Sequence, residues 1–281
     1  MDRSLPFSNR STRTTLSILL LVGISIGIIF SIYHFLPVGQ DWKGIRNATF
    51  EMLAGRSPFV DNIYNPPWVL MLLLPAAILP VKLGAALLSF LNLAVYGFAA
   101  LRFGKSPWLA ALLLITPAMF RQMIDPNLEF LVVLGLLLPP PLGIFLVLAK
   151  PQLGAFVAIF WVIEAWREGG PRQTVRLLAP ITLVTLATIA MYGWWPFHGL
   201  GLIGSFQNVS MWPTSIIIGI PLIVYAIQTR QMNLALLSTL FLAPYYGVYS
   251  IHVPLLGLLP RRIITLSAVI GFWIAFWIGF Q

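Results

Sequence analysis

The stretch GQDWKGIRNATFEMLAGRSPFVDNIYNPPW, residues 39–68, decides how the rest of the chain is interpreted. It holds Asp41, Glu51 and Asp61, three of the chain's eight acidic residues, although the sequence on both sides of it is apolar. An apolar run over residues 16–36 ends shortly before Asp41, so the Asp41 carboxylate is predicted at a membrane–water boundary. A carboxylate at that boundary, beside basic residues, is a candidate general base for a substrate carried by a lipid.

The composition predicts an integral membrane protein of all-α class. The chain has 281 residues, of which 59% are hydrophobic and 9% are charged, whereas soluble domains carry about 25% charged residues. The apolar runs are continuous rather than alternating, which favours helices over strands as membrane-spanning elements. At ~20 residues each, the apolar length predicts a polytopic bundle of roughly nine to eleven spans. No break in composition divides residues 1–281, so a single integral membrane domain is predicted.

The charge pattern predicts a topology rather than a nucleic-acid partner. The net charge is +9, and in membrane proteins Lys and Arg gather on cytoplasmic loops next to anionic lipids. Arg3, Arg10 and Arg13 precede the first apolar run, so residues 1–15 are predicted as a cytoplasmic N-terminus and residues 37–66 as an outer loop. The predicted location is the cell (inner or plasma) membrane. The chain has no cysteine and only three scattered histidines, so no metal site is predicted.

Residues 42–53 have the pattern of a short helix lying in the membrane interface. The apolar residues Trp42, Ile45, Phe50 and Leu53 recur at helical spacing, with polar residues mostly on another side. Gly55 suits the C-terminal cap of that helix. Under a purely structural interpretation, Asp41 ends the helix or pairs with Lys43 or Arg46.

The remaining apolar runs divide the chain into further predicted spans. They cover residues 66–81, 83–101, 177–195, 214–228, 233–246 and 263–280, with an aromatic outer loop at 196–213. Residues 107–120 and 127–138 are barely long enough to cross, so they are predicted as thin spans or as a re-entrant hairpin. Residues 139–165 are predicted as one span interrupted at Lys150-Pro151, because this puts Arg167, Arg172 and Arg176 in a cytoplasmic loop.

Lys150 is the second candidate site residue, since a cation within an apolar run needs a cavity or a partner. Its ammonium is a candidate for binding a phosphate, and the alternatives are snorkelling to the interface or pairing with Glu129. Arg46, Arg56 and Arg121 are further candidates for the phosphate. The dipeptide Asp125-Pro126 is typical of a helix N-cap followed by Pro. Several aromatic residues have the pattern of an interfacial belt; they are Trp194, Trp195, Phe197, Trp212, Tyr245, Tyr246 and Tyr249.

A series of short motifs resembles glycosyltransferase family 87, in the same order along the chain. Asp41, Gly55-Arg56-Ser57-Pro58-Phe59 and Tyr64-Asn65-Pro66-Pro67 resemble the first loop of that family. Asp125-Pro126-Asn127 stands where the family often has Gly-Gln-x-Asn, and Lys150-Pro151-Gln152 matches its Lys-Pro-Gln element. Asn208-Val209-Ser210 resembles its Asn-x-Ser element, and the segment from Ala243-Pro244 to His252 resembles its Ser-Pro-x-x-Trp-x-His region.

This resemblance implies a GT-C fold and the transfer of a hexose, often mannose, from a polyprenyl-phosphate donor. It implies that Asp41 takes the proton of an acceptor hydroxyl at the outer face while the anomeric centre is inverted. The donor phosphate would be held by Lys150 and the neighbouring arginines, and no metal, nucleotide or other cofactor would be needed. The substrate contacts that it implies are Tyr64, Asn127, Gln152, Asn208 and His252.

The predicted function is therefore a membrane hexosyltransferase, whose partners are membrane lipids, a polyprenyl-phosphate sugar and other membrane proteins. The first alternative is a non-catalytic transmembrane subunit of a larger complex on a degenerate GT-C-like scaffold. The absence of the Gly-Gln pair and of the Trp before His252 favours it. The second alternative is a transporter or flippase for a lipid-linked solute, which the interrupted spans suggest.

Overall fold

Helices make up the regular structure of this chain. The computed structural model describes residues 8–61, 63–205 and 207–279, and within these ranges it contains α-helices and short 3-10 segments but no β-strand. The prediction of an all-α fold is confirmed. Residues 1–7, including Arg3 of the predicted cytoplasmic N-terminus, lie outside the described residues.

The described helices differ widely in length. They are α1 (Ser8–Phe35), α2 (Gln40–Leu53), α3 (Pro67–Ala77), α4 (Val81–Gly104), α5 (Pro107–Leu114), α6 (Pro117–Ile124), α7 (Glu129–Leu137), α8 (Pro140–Val147), α9 (Pro151–Tyr192), α10 (Ile216–Gln228), α11 (Met232–Leu242), α12 (His252–Leu255) and α13 (Arg262–Gly279). The 3-10 segments are Trp195–Gly204, Val248–Ile251 and Leu256–Leu258.

Four of these helices are long and apolar enough to cross a membrane: α1 over Thr14–Phe35, α4, α9 and α13. The pair α5 and α6, bent by 60°, adds a fifth candidate if it is counted as one span. Large apolar side chains on α1 and α13 face outward, among them Leu16, Phe30 and Ile263, and a bilayer would cover such surfaces. The chain is therefore a multi-pass helical membrane protein.

The predicted number of nine to eleven spans exceeds the number of long helices. Four further apolar segments are shorter: Pro67–Ala77, Ile216–Gln228, Met232–Leu242 and Val248–Leu258. At roughly 1.5 Å per residue, each is well short of a bilayer core of about 30 Å. Whether any of them crosses with its neighbours stays a prediction, as does the GT-C arrangement.

The helix predicted at residues 42–53 is α2 (Gln40–Leu53), and Gly55 follows it with φ +73° as the predicted cap. Its buried face carries Trp42 and Ile45, but Leu53 is half exposed, so the predicted apolar face is only partly correct. The Trp42 indole N–H donates to the Val81 carbonyl at 2.9 Å. The apolar face of α2 is thus covered by protein, and its location in the membrane interface stays a prediction.

The prediction that residues 139–165 form one interrupted span is wrong. Gly154 lies against Val147 and Gly143 lies against Trp161, so α8 and α9 run antiparallel on either side of a reversal at residues 148–150. Lys150 has φ −129° and ψ 90° because the residue before a proline is disfavoured in the helical region. The polar residue Lys150 is therefore the turn between two packed helices.

The basic stretch around Arg167 lies at a break inside α9. Gly169 and Gly170 have non-helical backbone angles, and Gly170 has φ +58°, a conformation that glycine adopts without strain. Arg167 precedes this break, and Arg172 and Arg176 follow it in helical conformation. The predicted cytoplasmic loop is thus a two-residue break, and its side of the membrane stays a prediction.

Candidate active site

The Asp41 carboxylate is held by two side chains that are far away in the sequence. Asp41 lies in the first turn of α2, and its Oδ2 accepts hydrogen bonds from Asn127 Nδ2 at 2.5 Å and from the Tyr249 hydroxyl at 2.7 Å. Among the residues that the structure describes, no hydrogen bond reaches Oδ1 and no ion pair involves Asp41. The alternative of pairing with Lys43 or Arg46 is therefore not realised.

Asp41 lines a partly enclosed cavity of about 740 Å³ with polar and apolar walls. Its polar lining consists of Gln40, Asp41, Asp61, Tyr64, Asn65, Asn127, Lys150, Gln152, Thr185 and Gln207. Its apolar lining includes Phe156, Ile181, Leu202, Ile203 and Leu242. Besides Tyr64 and Phe156, four more aromatic residues line the wall: Trp68, Trp195, Tyr245 and Tyr249. Of the predicted site residues, Asp41, Tyr64, Asn127, Lys150 and Gln152 are thus brought together.

Lys150 forms a buried ion pair at the edge of this cavity. Its Nζ donates to Glu129 Oε1 at 2.5 Å, and the side chains of Lys150 and Glu129 are 6% and 0% exposed. Glu129 also accepts hydrogen bonds from Ser250 Oγ at 2.7 Å and from Gln122 Nε2 at 3.0 Å. The Lys150 ammonium lies 5.3 Å from the centre of the Tyr249 ring, so Tyr249 contacts both Lys150 and Asp41. Of the alternatives for Lys150, pairing with Glu129 is confirmed.

The three arginines predicted to join Lys150 do not line the cavity. Arg46 donates to the Ala77 carbonyl at 2.8 Å, and the exposed Arg56, which follows α2, pairs with Glu51 near the end of that helix. Arg121 is exposed at the end of α6. The prediction that they clamp a phosphate beside Asp41 is not supported, because each points to a different place. Since Glu129 neutralises Lys150, Asp41 and Asp61 leave the cavity acidic.

Asp125 caps a different helix from the predicted one. α7 begins only at Glu129, so the prediction that Asp125 caps the helix behind Pro126 is wrong. Asp125 Oδ1 instead accepts the backbone N–H of Asp41 at 2.9 Å, which satisfies a donor in the first turn of α2. A Cβ at Gly39 would collide with the Asp125 carboxyl group, so this close approach requires a glycine.

The Asp125 cap makes the stability of the folded protein depend on pH. Burial first, and then the Asp41 carboxylate, raises the pKa of Asp125 from 3.8 to about 6. The folded chain therefore binds the Asp125 proton more tightly than the unfolded chain does. The stability that this proton contributes is complete below the unfolded-state pKa of 3.8. It is lost as the pH rises through the folded-state pKa of about 6.

We expect Asp125→Asn to escape that loss, because its amide oxygen still accepts the Asp41 N–H. We expect the difference in the midpoint of thermal unfolding in detergent, variant minus wild type, to increase between about pH 4 and about pH 7. A difference that stays constant over this range would contradict the assignment.

Asn208 and His252, both predicted to contact substrate, lie outside the cavity lining. The Asn208 amide donates to the carbonyls of Ile203 at 2.8 Å and Pro244 at 2.9 Å. Its oxygen accepts the backbone N–H groups of Ser210 and Tyr246, each at 3.0 Å. Asn208 therefore joins two loops and has a structural role. His252 is buried against the Tyr96 ring, with the ring centres 4.1 Å apart.

Asn208→Ala should reduce the free energy of unfolding by about 1–3 kcal/mol, because it leaves backbone donors and acceptors of both loops unpaired. Thermal or denaturant unfolding of the purified chain measures the loss. Asn47→Ala is the matched control, since its exposed amide bonds the Asp61 side chain at 2.6 Å. Equal losses in the two variants would contradict the structural role of Asn208.

Tyr249 is the site residue that the sequence did not single out. It had the pattern of an interfacial belt, yet it donates to the candidate base from the 3-10 segment Val248–Ile251. Trp195 likewise lies in the cavity wall, with its ring 5.4 Å from that of Trp68 in an edge-to-face arrangement. The only available signal was that Tyr249 stands three residues before His252 in a motif-like segment.

Comparisons with protein-family models, with curated proteins and with solved structures returned no match. The site must therefore be interpreted from its own chemistry. Within the described ranges, no group of three or more histidine, aspartate or glutamate side chains could hold a metal ion. The cavity offers the carboxylates of Asp41 and Asp61, several amides and six aromatic rings. These groups suit a polyhydroxylated ligand and a proton acceptor.

Proposed function

We propose that this chain is a membrane glycosyltransferase that moves a hexose, with mannose as the first candidate, from a polyprenyl-phosphate donor to an acceptor hydroxyl. The observation that carries the proposal is the Asp41 carboxylate, which Asn127 and Tyr249 hold by Oδ2 at the wall of a 740 Å³ cavity. The proposed location is the cell membrane, with the cavity at the outer face and the N-terminus in the cytoplasm.

The amphipathic wall of the cavity supports a lipid-linked donor. Amides, carboxylates and aromatic rings suit the hexosyl group, because sugars bind through hydrogen bonds and through stacking on ring faces. Phe156, Ile181 and Leu242 offer apolar contacts for the first prenyl units. A soluble sugar would gain nothing from that apolar wall.

In the proposed reaction the acceptor oxygen attacks the anomeric carbon from the face opposite the phosphate. Its proton passes to Asp41 Oδ1, the oxygen without a hydrogen bond from any described residue. The bond between the anomeric carbon and the phosphate oxygen breaks, and polyprenyl phosphate leaves with the electron pair. The products are a hexoside of inverted configuration and polyprenyl phosphate.

Lys150 is the cation that the cavity lining offers to the phosphate. Its ammonium has three N–H groups, of which Glu129 engages one, so the others remain able to donate to a phosphate oxygen. The Glu129 carboxylate weakens this attraction, and Lys150 is thus proposed to orient the leaving group rather than to supply a large charge.

The test is sugar transfer in proteoliposomes that contain the purified full-length chain. Polyprenyl-phosphate mannose labelled in the sugar is supplied with membrane lipid extract as acceptor, and labelled product is separated from donor. A parallel assay measures movement of the labelled lipid between leaflets. Product above protein-free vesicles supports the transferase. Leaflet exchange without product, for mannose and glucose donors alike, would favour the transporter, and neither activity would favour the non-catalytic subunit.

A further inference from the structure

A cluster of polar side chains lies in the interior behind the Lys150–Glu129 pair. It consists of Asn92, Tyr96, Gln122, Glu129, Tyr246 and His252, each at most 2% exposed. These residues come from α4, α6, α7 and the segment that follows α11, so the cluster joins four parts of the bundle. We call it the buried polar cluster.

Hydrogen bonds and one ring contact connect most members of this cluster. Gln122 Nε2 donates to Asn92 Oδ1 at 3.1 Å and to Glu129 Oε2 at 3.0 Å. Tyr96 lies one helical turn after Asn92 on the same face of α4, and the His252 ring packs on it with the ring centres 4.1 Å apart. Tyr246 is buried in the same core as Tyr96, and the Glu129 carboxylate acts electrostatically on both hydroxyls and on the His252 ring.

Four buried polar atoms of the cluster have no hydrogen-bond partner among the described residues. They are Gln122 Oε1, Tyr96 Oη, Tyr246 Oη and one ring nitrogen of His252, whose ring also interacts with the Tyr249 backbone. Native interiors leave few such atoms unpaired, because each one forfeits its hydration without compensation. Four unpaired atoms on four neighbouring side chains are therefore expected to share a partner.

We propose that the buried polar cluster is a binding site for internal water, which bridges the hydroxyls of Tyr96 and Tyr246, the His252 ring and the Gln122 carbonyl. The chemistry of the orphaned atoms selects water. Gln122 Oε1 can only accept, a tyrosine hydroxyl can donate and accept, and a neutral histidine has one nitrogen of each kind. A molecule that both donates and accepts satisfies this mixture.

The charges of the cluster exclude small ions as the ligand. Glu129 and Lys150 neutralise each other at 2.5 Å, so the site has no net charge to attract an ion. A cation would meet the Lys150 ammonium, and an anion would meet the Glu129 carboxylate. Water makes about three hydrogen bonds in such interior sites, and it would connect α4 and α6 to the segment that carries Tyr249 and Ser250.

Removing single hydroxyls tests the proposal through the sign of the stability change. If water bridges the hydroxyls, Tyr96→Phe and Tyr246→Phe each lower the midpoint of thermal unfolding by about 2–4 °C, because a hydrogen bond is lost. If the hydroxyls are unpaired in the folded protein, the same variants raise the midpoint, because an uncompensated polar atom is removed. Tyr225→Phe, at a half-exposed position on α10, is the control and should change nothing.

The double variant and a direct observation complete the test. When two hydroxyls share bound water, the loss in Tyr96→Phe/Tyr246→Phe is smaller than the sum of the single losses. An experimental map that resolves ordered solvent should show density within hydrogen-bonding distance of Tyr96 and His252. Unchanged or raised midpoints in the single variants, or no such density, would overturn the proposal. None of these readouts depends on sugar transfer.

Discussion

Replacing Asp41 with asparagine is expected to lower hexose transfer by about 10²–10⁴-fold, the usual contribution of a general base. The amide has the shape of the carboxyl group, and its oxygen can still accept hydrogen bonds from Asn127 and Tyr249. The variant therefore keeps the geometry of the site and loses only the ability to take the acceptor proton. The loss should fall on kcat rather than on KM for the donor.

Asp61→Asn is the matched control for this experiment. Asp61 lines the same cavity and makes the same change of charge, but its Oδ2 accepts a hydrogen bond from Asn47 instead of contacting Asn127 or Tyr249. Its backbone has φ +52°, a conformation that asparagine adopts readily. Initial rates over a range of donor concentrations, at matched protein levels, measure both variants. Full activity in Asp41→Asn, or equal losses in the two variants, would contradict the role of Asp41 as the base.

The sequence could predict those site residues that stand out from their immediate neighbours in the chain. Asp41 follows a long apolar run and Lys150 interrupts one, so the sequence alone identifies them as charged residues in apolar surroundings. Tyr64, Asn127 and Gln152 came from short motifs, and all three line the cavity with Asp41. The helical periodicity of residues 42–53 likewise predicted α2 to within two residues at its start.

The parts that the sequence could not predict are pairings across the chain. Asp125 caps a helix 84 residues earlier, and Tyr249 reaches Asp41 over 208 residues. Neither partner has a local signal, because any hydroxyl or carboxylate at the right position could serve. The prediction for the arginines failed for a related reason, because a long guanidinium side chain can reach any of several nearby acceptors. Arg56 pairs with Glu51, and Arg46 donates to the Ala77 carbonyl.

Lys150→Met is expected to be the most destabilising single substitution in the site. It strips the counter-charge from Glu129, whose side chain is 0% exposed and keeps only the neutral donors Ser250 and Gln122. Breaking a buried ion pair from one side costs about 3–5 kcal/mol, mostly because an uncompensated charge stays in the interior. Glu129→Gln should cost less, since the Lys150 ammonium lines the cavity and can reach solvent there.

The double variant Glu129→Gln/Lys150→Met should recover most of the stability lost in Lys150→Met, because it leaves no buried charge. Thermal unfolding of the four proteins in one detergent forms a complete cycle. The exposed pair Arg56–Glu51 provides the control, and Arg56→Met should leave the midpoint unchanged. A double variant as unstable as Lys150→Met would contradict the account of the pair as a charge balance.

The same double variant separates the two roles of Lys150, because it removes the ammonium from a protein that remains folded. If Lys150 only balances Glu129, the double variant transfers sugar with the KM and kcat of the wild type. If Lys150 also orients the donor phosphate, as proposed, the double variant recovers most of the stability but has a higher KM for the polyprenyl-phosphate donor. Glu129→Gln alone keeps or lowers that KM, because it frees the Lys150 ammonium to bind the phosphate. An unchanged KM in all three variants would show that Lys150 has only a structural role. Among the described residues, the cavity would then have no protein cation to bind the phosphate.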